Sequence, residues 1–174
     1  LTPQEIERGL KTFRGAEGRS EVRELPGRTT VVCDYYNASP PSMEAGFELL
    51  AQVAAKNGDP SRVRWVCLGD MLELGEQEEQ YHRSLAESLL RLKIQNVLLY
   101  GTRMRFLFDE LQARGFAGTL SHHASHEELS KALLEKARPG DAILIKGSRS
   151  MKMEEVWKRL SAVWNEAWVK NRAP

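Results

Sequence analysis

The amino-acid sequence predicts an α/β domain of three layers, in which a mainly parallel, Rossmann-like sheet has helices on both faces. Short apolar runs alternate with longer amphipathic segments from residue 29 almost to the end of the chain. The apolar runs are nearly continuous, which is typical of parallel strands covered on both sides. The chain has 174 residues, 41% of them apolar, and is therefore long enough to bury one core of this kind.

Each predicted strand is followed by a predicted helix. The strands are expected at residues 29–34, 62–70, 96–101, 117–122 and 141–147. The helices are expected at residues 41–56, 78–92, 103–114, from 125 onward, and 152–169. The fourth of these helices begins with Ser125 and has Glu128 three residues later, which is the spacing of a capping box.

The first residues form a separate part of the pattern. Residues 2–13 are expected to form a short helix, capped by Thr2. A segment rich in Gly and Arg follows, with a hairpin turn expected at Pro26-Gly27. We therefore predict that residues 1–18 are the tail of a preceding domain with its linker, and that residues 19–174 form the α/β domain. The absence of a starting Met agrees with this expectation.

Composition limits the classes of partner. The formal net charge of +1 gives no reason to expect nucleic acid or an anionic membrane as a partner. No apolar run is long enough for a membrane span, and the cytoplasm is the default expectation for the compartment. A monomer is also expected. Cys33 and Cys67 lie inside apolar runs, where buried free thiols are expected rather than a disulfide.

Ligands of open parallel sheets bind beyond the carboxyl ends of the strands, so the residues that follow each apolar run are candidates. After the first run, Asp34 is suited to ribose hydroxyls, and Tyr36 and Asn37 are suited to flank a base. An Asx-type turn that caps the next helix explains the same residues equally simply. Arg19, which follows Gly18, is suited to a phosphate contact.

The last apolar run is followed by a basic helix entry. Its residues, which together suit a carboxylate or phosphate, are Lys146, Gly147, Ser148 and Arg149. The competing interpretation is a solvated turn with Ser150 as the helix cap. In the loop from Gly69 to Glu78, the glutamates favour the start of the next helix through its dipole, but this does not account for Asp70.

Several functional patterns are missing from the sequence. It contains no G-x-x-x-x-G-K-[ST] phosphate loop, no G-x-G-x-x-G after the first strand and no G-x-S-x-G elbow. The chain is therefore not expected to hold a whole triphosphate. His122, His123 and His126 have no Cys or carboxylate partners at ligand spacing, so no metal site is expected.

Four segments, taken in order, resemble the carboxy-terminal part of the Mur ligases, which build bacterial peptidoglycan. The motifs are G-L-x-x-F with G-R-x-E (residues 9–13 and 18–21), D-x-Y-N-A-N-P-x-S-M (residues 34–43), L-G-x-M-x-E-L-G (residues 68–75) and K-G-S-R-x-M-x-M-E (residues 146–154). The sequence departs from the family at Ser39, where Asn is usual, and at Tyr35, where a second Asp is frequent.

The resemblance is to the members that add D-alanyl-D-alanine to UDP-N-acetylmuramoyl-tripeptide. It implies a three-domain, ADP-forming ligase whose central domain carries the phosphate loop and Mg²⁺. ATP phosphorylates the peptide carboxylate, and the incoming amine attacks this acyl phosphate to form an amide. The carboxy-terminal domain closes over the nucleotide and presents the amino substrate, so the isolated chain is expected to be inactive. The alternative is a stand-alone nucleotide- or protein-binding module without catalysis.

The resemblance also implies roles for individual residues. Arg19 would contact the ATP phosphates, and the ribose and adenine would lie against Asp34 and Asn37, with Tyr36 beside them. The D-alanyl-D-alanine end, at its carboxylate, would be received by Gly147, Ser148 and Arg149, with Lys146 as a helper.

Overall fold

The computed structural model of the chain describes residues 2, 4–5, 16–56 and 62–170. Its strands are β1 (Glu21–Leu25), β2 (Thr29–Asp34), β3 (Arg64–Gly69), β4 (Asn96–Tyr100), β5 (Thr119–His123) and β6 (Ala142–Lys146). The helices longer than one turn within residues 16–56 and 62–170 are α1 (Pro40–Ala55), α2 (Glu78–Arg91), α3 (Met104–Ala113), α4 (His126–Lys136) and α5 (Glu154–Lys170). Single turns of 3₁₀ helix at Gly75–Gln77 and Arg149–Met151 precede α2 and α5.

The strands form one six-stranded sheet in the order β1-β2-β6-β3-β4-β5. All neighbouring strands are parallel except β1, which pairs antiparallel with β2. Helices α1, α2 and α3 bury Phe47, Leu89 and Leu107 against one face of the sheet. Helices α4 and α5 bury Leu133 and Leu160 against the other face. The predicted three-layer, mainly parallel α/β fold is therefore confirmed.

The predicted strands and helices agree with the structure to within about two residues at their ends, which is the usual uncertainty of such boundaries. The hairpin turn at Pro26-Gly27 is confirmed, because it joins β1 to β2 and Gly27 has a φ of 81°. The strand that precedes this turn was not predicted. Strand β1 lies at the sheet edge with alternate side chains exposed, so its sequence lacks the apolar run that identifies the central strands.

The local predictions at one helix and at two thiols are confirmed. Ser125 caps α4, since its Oγ accepts a hydrogen bond from the Glu128 backbone at 3.1 Å. The Glu128 carboxylate completes the cap one residue earlier than in an ideal box, by accepting from the Ala124 backbone at 3.0 Å. Cys33 and Cys67 are buried and free, as predicted.

Most residues of the predicted amino-terminal helix are not described by the structure. The helix expected over residues 2–13 lies largely outside the described residues, as does residue 14 at the proposed boundary. The division into residues 1–18 and 19–174 stays a prediction. In the part of the chain that the structure describes, no helix is both long and apolar enough to cross a membrane.

The crossovers leave a crevice at one point of the sheet. Strands β2 and β6 are parallel neighbours. The chain leaves β2 into α1 on one face and leaves β6 into α5 on the opposite face. Because the two connections diverge, a ligand can approach between them at the carboxyl ends of the strands. Apart from Arg19, the predicted site residues lie at the carboxyl ends of these two strands or directly after them.

Candidate functional site

A cleft of about 300 Å³ lies at the carboxyl ends of β2 and β6. It contains all four residues predicted to contact a nucleotide, together with one residue that was predicted to contact the amino substrate. The polar residues that line it are Arg19, Ser20, Asp34, Tyr36, Asn37, Ser39, Ser42 and Lys146. Lys146 is the addition, since it was assigned to the amino substrate with Arg149.

The cleft is built on an ion pair between Asp34 and Lys146. These residues are register partners on the parallel strands β2 and β6, so their side chains leave the same face of the sheet. The Lys146 Nζ lies 2.5 Å from the Asp34 Oδ2 and donates to the Asn37 carbonyl at 3.0 Å. Burial lowers the pKa of Lys146, and the hydrogen bond to Asp34 opposes this change.

Asp34 also holds the segment that carries Arg19. Its Oδ1 accepts a hydrogen bond from the Ser20 backbone at 2.9 Å, and the Gly18 carbonyl accepts one from the Tyr36 backbone at 2.9 Å. A Cβ on Gly18 would lie 2.6 Å from the Tyr35 ring, and the backbone of Gly18 has a φ of 69°. Only glycine therefore fits this segment without displacing Tyr35.

These contacts place a cation over an aromatic ring at the mouth of the cleft. The Arg19 guanidinium carbon lies 3.8 Å from the centre of the Tyr36 ring. Both side chains are exposed, and Tyr36 keeps 46% of its surface accessible. A guanidinium stacked on a ring in this way keeps its N–H groups free for an anion, because the ring occupies only its face.

The turn before α1 is capped by Ser39 and Ser42, not by Asn37. The Ser39 backbone N–H donates to Ser42 Oγ at 2.9 Å where α1 begins, whereas Asn37 Oδ1 accepts a hydrogen bond from the backbone of the next residue, Ala38, at 2.8 Å. The Asn37 side chain is nevertheless exposed and lines the cleft, so its amide can also meet a ligand.

Ser148 is buried and forms hydrogen bonds to two neighbouring loops. It is 5% exposed, and its Oγ accepts from the Leu72 backbone at 2.9 Å and donates to the Ala38 carbonyl at 3.4 Å. Its backbone N–H donates to the Asp70 carbonyl at 3.0 Å. The hydroxyl therefore fixes the loops that follow β2, β3 and β6 relative to one another.

Gly147 is a point of close backbone approach. A Cβ at this position would lie 2.8 Å from the Met153 Cγ and 3.0 Å from the Gly69 Cα. Gly147 thus lets the loops after β3 and β6 touch. Of the four residues predicted to receive the amino substrate, Arg149 alone is exposed, with 63% of its side chain accessible.

Arg149 borders a second pocket, of about 440 Å³, that is lined by Tyr36 like the first. Its guanidinium lies 3.1 Å from Glu154 Oε1. Lys146 lines the first cleft and does not line this pocket. The assignment of Lys146, Gly147, Ser148 and Arg149 to the amino substrate stays a prediction.

Asp70 has a structural explanation that the sequence did not show. It is 2% exposed, and its carboxylate accepts hydrogen bonds from the backbone of Arg103 at 3.2 Å and Met104 at 2.8 Å. It therefore caps α3 from a neighbouring loop, where its negative charge also suits the helix dipole. Because the capped helix lies more than 30 residues away, no local pattern could have revealed this contact.

His82 holds the loop after β3 in place as a neutral ring. It is fully buried, with Nδ1 2.7 Å from the Glu78 carbonyl and Nε2 3.1 Å from the Met71 backbone nitrogen. This pattern assigns the proton to Nδ1, because the carbonyl can only accept and the backbone N–H can only donate. Burial lowers the pKa of His82.

We expect the free energy of unfolding to decrease as the pH falls below 6.5, the ordinary histidine pKa. In this window the unfolded chain binds a proton that the folded chain does not bind at His82, which favours unfolding. Urea unfolding at a series of pH values measures the effect. Burial also lowers the pKa of His123, so the test is the difference from His82→Gln, which should show a smaller pH dependence. Equal pH dependence in the two proteins would contradict the assignment.

The remaining histidine rings bond to neighbouring protein groups. His122 Nε2 lies 2.7 Å from the Gly101 carbonyl, His126 Nε2 lies 2.7 Å from the Met151 carbonyl, and His123 Nε2 lies 2.8 Å from Ser121 Oγ. Within the described ranges, no group of three or more His, Cys, Asp or Glu side chains is arranged to hold a metal ion.

Solved structures show that this architecture occurs in known ligases. A crystal structure of MurF from Acinetobacter baumannii superposes with a TM-score of 0.76 and 25% identity, covering 93% of this chain and 34% of that one. MurF ligase from Thermotoga maritima in complex with ADP gives a TM-score of 0.74 at 23% identity, covering 93% of this chain and 36% of that one. The second likeness supports the fold alone.

Sequence comparison identifies the family. The chain is 32% identical over 160 residues to UDP-N-acetylmuramoyl-tripeptide--D-alanyl-D-alanine ligase of Bacillus subtilis, covering 92% of this chain and 34% of the relative. It is 30% identical over 157 residues to the enzyme of the same name from Escherichia coli, covering 89% of this chain and 32% of the relative. The chain thus spans about a third of the length of these relatives. Residues 18–149, which include both strands of the cleft, also match the family model described as "Mur ligase, glutamate ligase domain". The chain therefore belongs to the Mur ligase family.

Proposed function

We propose that this chain is the part of an ATP-dependent, ADP-forming ligase that contacts the nucleotide and the amino substrate. The proposed whole protein joins D-alanyl-D-alanine to UDP-N-acetylmuramoyl-tripeptide, the reaction named for the relatives from Bacillus subtilis and Escherichia coli. The observation that carries the proposal is the cleft at the ends of β2 and β6, which brings the predicted nucleotide residues together. The cytoplasmic location and the monomeric state stay predictions.

The chemistry of the cleft suits one part of ATP. Arg19 offers an exposed guanidinium to the phosphates, with Tyr36 stacked behind it. Asp34 and Asn37 offer oxygen and amide groups to the ribose and base. Both Asp34 oxygens already accept one hydrogen bond, from Ser20 and Lys146, so a ribose hydroxyl would use their remaining lone pairs.

The proposed division of labour leaves phosphoryl transfer to other parts of the protein. When bound, Mg²⁺ would neutralise phosphate charge, and this chain would add the guanidinium of Arg19 as a further positive charge for the phosphates. Closure of this domain over the nucleotide would also exclude water from an acyl phosphate that otherwise hydrolyses. Arg149 lines the second pocket together with Tyr36, and its guanidinium would bind the carboxylate of the amino substrate.

Phosphate release by the full-length protein tests the proposal. With ATP, Mg²⁺, UDP-N-acetylmuramoyl-tripeptide and D-alanyl-D-alanine, we expect release that requires all substrates. Arg19→Ala should raise the KM for ATP by about tenfold, since it removes a charge-assisted contact. The KM for D-alanyl-D-alanine should change little. The isolated chain should release no phosphate above background.

Arg105→Ala is the matched control, because Arg105 is an exposed arginine on α3 outside the cleft. It should leave both KM values unchanged. Substrate-dependent release by the isolated chain would contradict the division of labour. A full-length protein that binds ATP without releasing phosphate would instead favour the stand-alone binding module.

A further inference from the structure

Two buried oxygen atoms of residues that line the pocket beside Arg149 have no nitrogen or oxygen hydrogen-bond partner among the described residues. They are the hydroxyl of Tyr35 and the Oε2 of Glu154, and both residues line this pocket. Tyr35 is 3% exposed, and the side chain of Glu154 is 18% exposed. The Cys33 thiol beside Tyr35 is at most a weak partner.

Unpaired buried oxygens are costly. A buried polar group without a partner has lost its hydrogen bonds to water and gained none in return, so native structures rarely leave two such groups beside one pocket. Both oxygens can accept a hydrogen bond, and one of them belongs to a carboxylate. The group that would satisfy them best is therefore a cation with several N–H donors, such as a primary ammonium.

The charges that border the pocket are balanced. Arg149 and Lys158 are cationic, and Glu17 and Glu154 are anionic. The Arg149–Glu154 pair has an exposed partner, and exposed ion pairs contribute little, so it is readily exchanged for contacts with a ligand. A zwitterion can replace this pair by giving its carboxylate to Arg149 and its ammonium to Glu154.

We propose that Glu154 and Tyr35 bind the ammonium end of the amino substrate while Arg149 binds its carboxylate. This inference rests on the proposed function and adds two residues to it. Glu154 accepts hydrogen bonds from the ammonium through Oε2, and the Tyr35 hydroxyl supplies a second acceptor. Binding of the carboxylate by Arg149 does not by itself distinguish a dipeptide from other acids. Glu154 and Tyr35 add the requirement that the ligand carry a free amino group at its other end.

The test compares D-alanyl-D-alanine with N-propionyl-D-alanine, which is the same molecule without its amino group. In the full-length ligase, the KM of the dipeptide is measured together with the inhibition constant of the propionyl compound as a competitor. We expect the wild-type protein to favour the dipeptide by at least about tenfold. Glu154→Gln should raise the KM of the dipeptide by about tenfold and should not raise the inhibition constant of the propionyl compound.

Two further variants make the result decisive. Glu166→Gln is the matched control, because it makes the same change on the exposed side of α5 outside the pocket. Tyr35→Phe removes only the hydroxyl and should reduce the preference for the dipeptide, which keeps the test informative if Glu154→Gln does not fold. A wild-type protein without preference, or variants that keep it, would overturn the inference. In that case, turnover of D-alanyl-D-alanine with an effect of Arg149→Ala would leave the proposed function standing, whereas no turnover would contradict both.

Discussion

Asp34→Ala is expected to lower the free energy of unfolding by about 3–5 kcal/mol. The substitution leaves the Lys146 ammonium buried, with 1% of its side chain exposed and only carbonyl oxygens as partners. A buried charge without its counter-ion is among the most destabilising defects in a folded protein. The variant also removes the acceptor for the Ser20 backbone, so the segment that carries Arg19 is released.

Urea unfolding of the isolated chain measures this effect, and a second substitution at the same pair provides the control. Asp34→Ala combined with Lys146→Met removes both charges, so the double variant should be clearly more stable than Asp34→Ala alone. Asp109→Ala, at an exposed position on α3, should change the free energy of unfolding by no more than about 0.5 kcal/mol. A loss below about 1 kcal/mol for Asp34→Ala would show that the ion pair is not structural.

Because the Asp34–Lys146 ion pair stabilises the fold, the effect of Asp34→Ala on nucleotide binding must be separated from its effect on stability. The resemblance to Mur ligases assigns Asp34 to the nucleotide, so Asp34→Ala is also expected to raise the KM for ATP. Because the substitution destabilises the cleft itself, this KM must be compared at a temperature at which the variant is folded. Arg19→Ala gives the cleaner result, since the Arg19 side chain is exposed.

Arg149→Ala should raise the KM for D-alanyl-D-alanine of the full-length ligase by about 10- to 100-fold, the range expected for a lost charge-assisted contact. The KM for ATP should stay within about twofold. Arg149 lines the second pocket and not the nucleotide cleft, and its ion pair with Glu154 is exposed on one side. The variant should therefore fold normally.

Steady-state kinetics with each substrate varied in turn separates these effects. Arg159→Ala, an exposed arginine on α5 outside the pocket, should leave both KM values unchanged. Similar increases in the two KM values for Arg149→Ala would mean that this side chain acts on domain closure and not on the amino substrate. A change in the KM for ATP alone would place Arg149 in the nucleotide site.

The fold class and the sheet edge that carries the candidate site could both be predicted from the sequence. Continuous apolar runs and amphipathic helices follow from burial on two faces, and this signal is local in sequence. The strands β2 and β6 were predicted together with the polar residues at their ends. The hairpin turn was also predictable, because Gly27 adopts a backbone conformation that few other residues favour.

The hydrogen-bond partners of each polar side chain at that edge depend on the three-dimensional fold and could not be predicted from the sequence. Lys146 lies opposite Asp34 because β6 pairs with β2, and the two residues are 112 positions apart in the chain. Ser148 and Asp70 satisfy backbone groups of distant loops, and Glu154 borders a pocket with Tyr35. Strand order and register bring such residues together. Polar groups then pair with whatever partner is within hydrogen-bond distance, and a linear pattern does not contain this information.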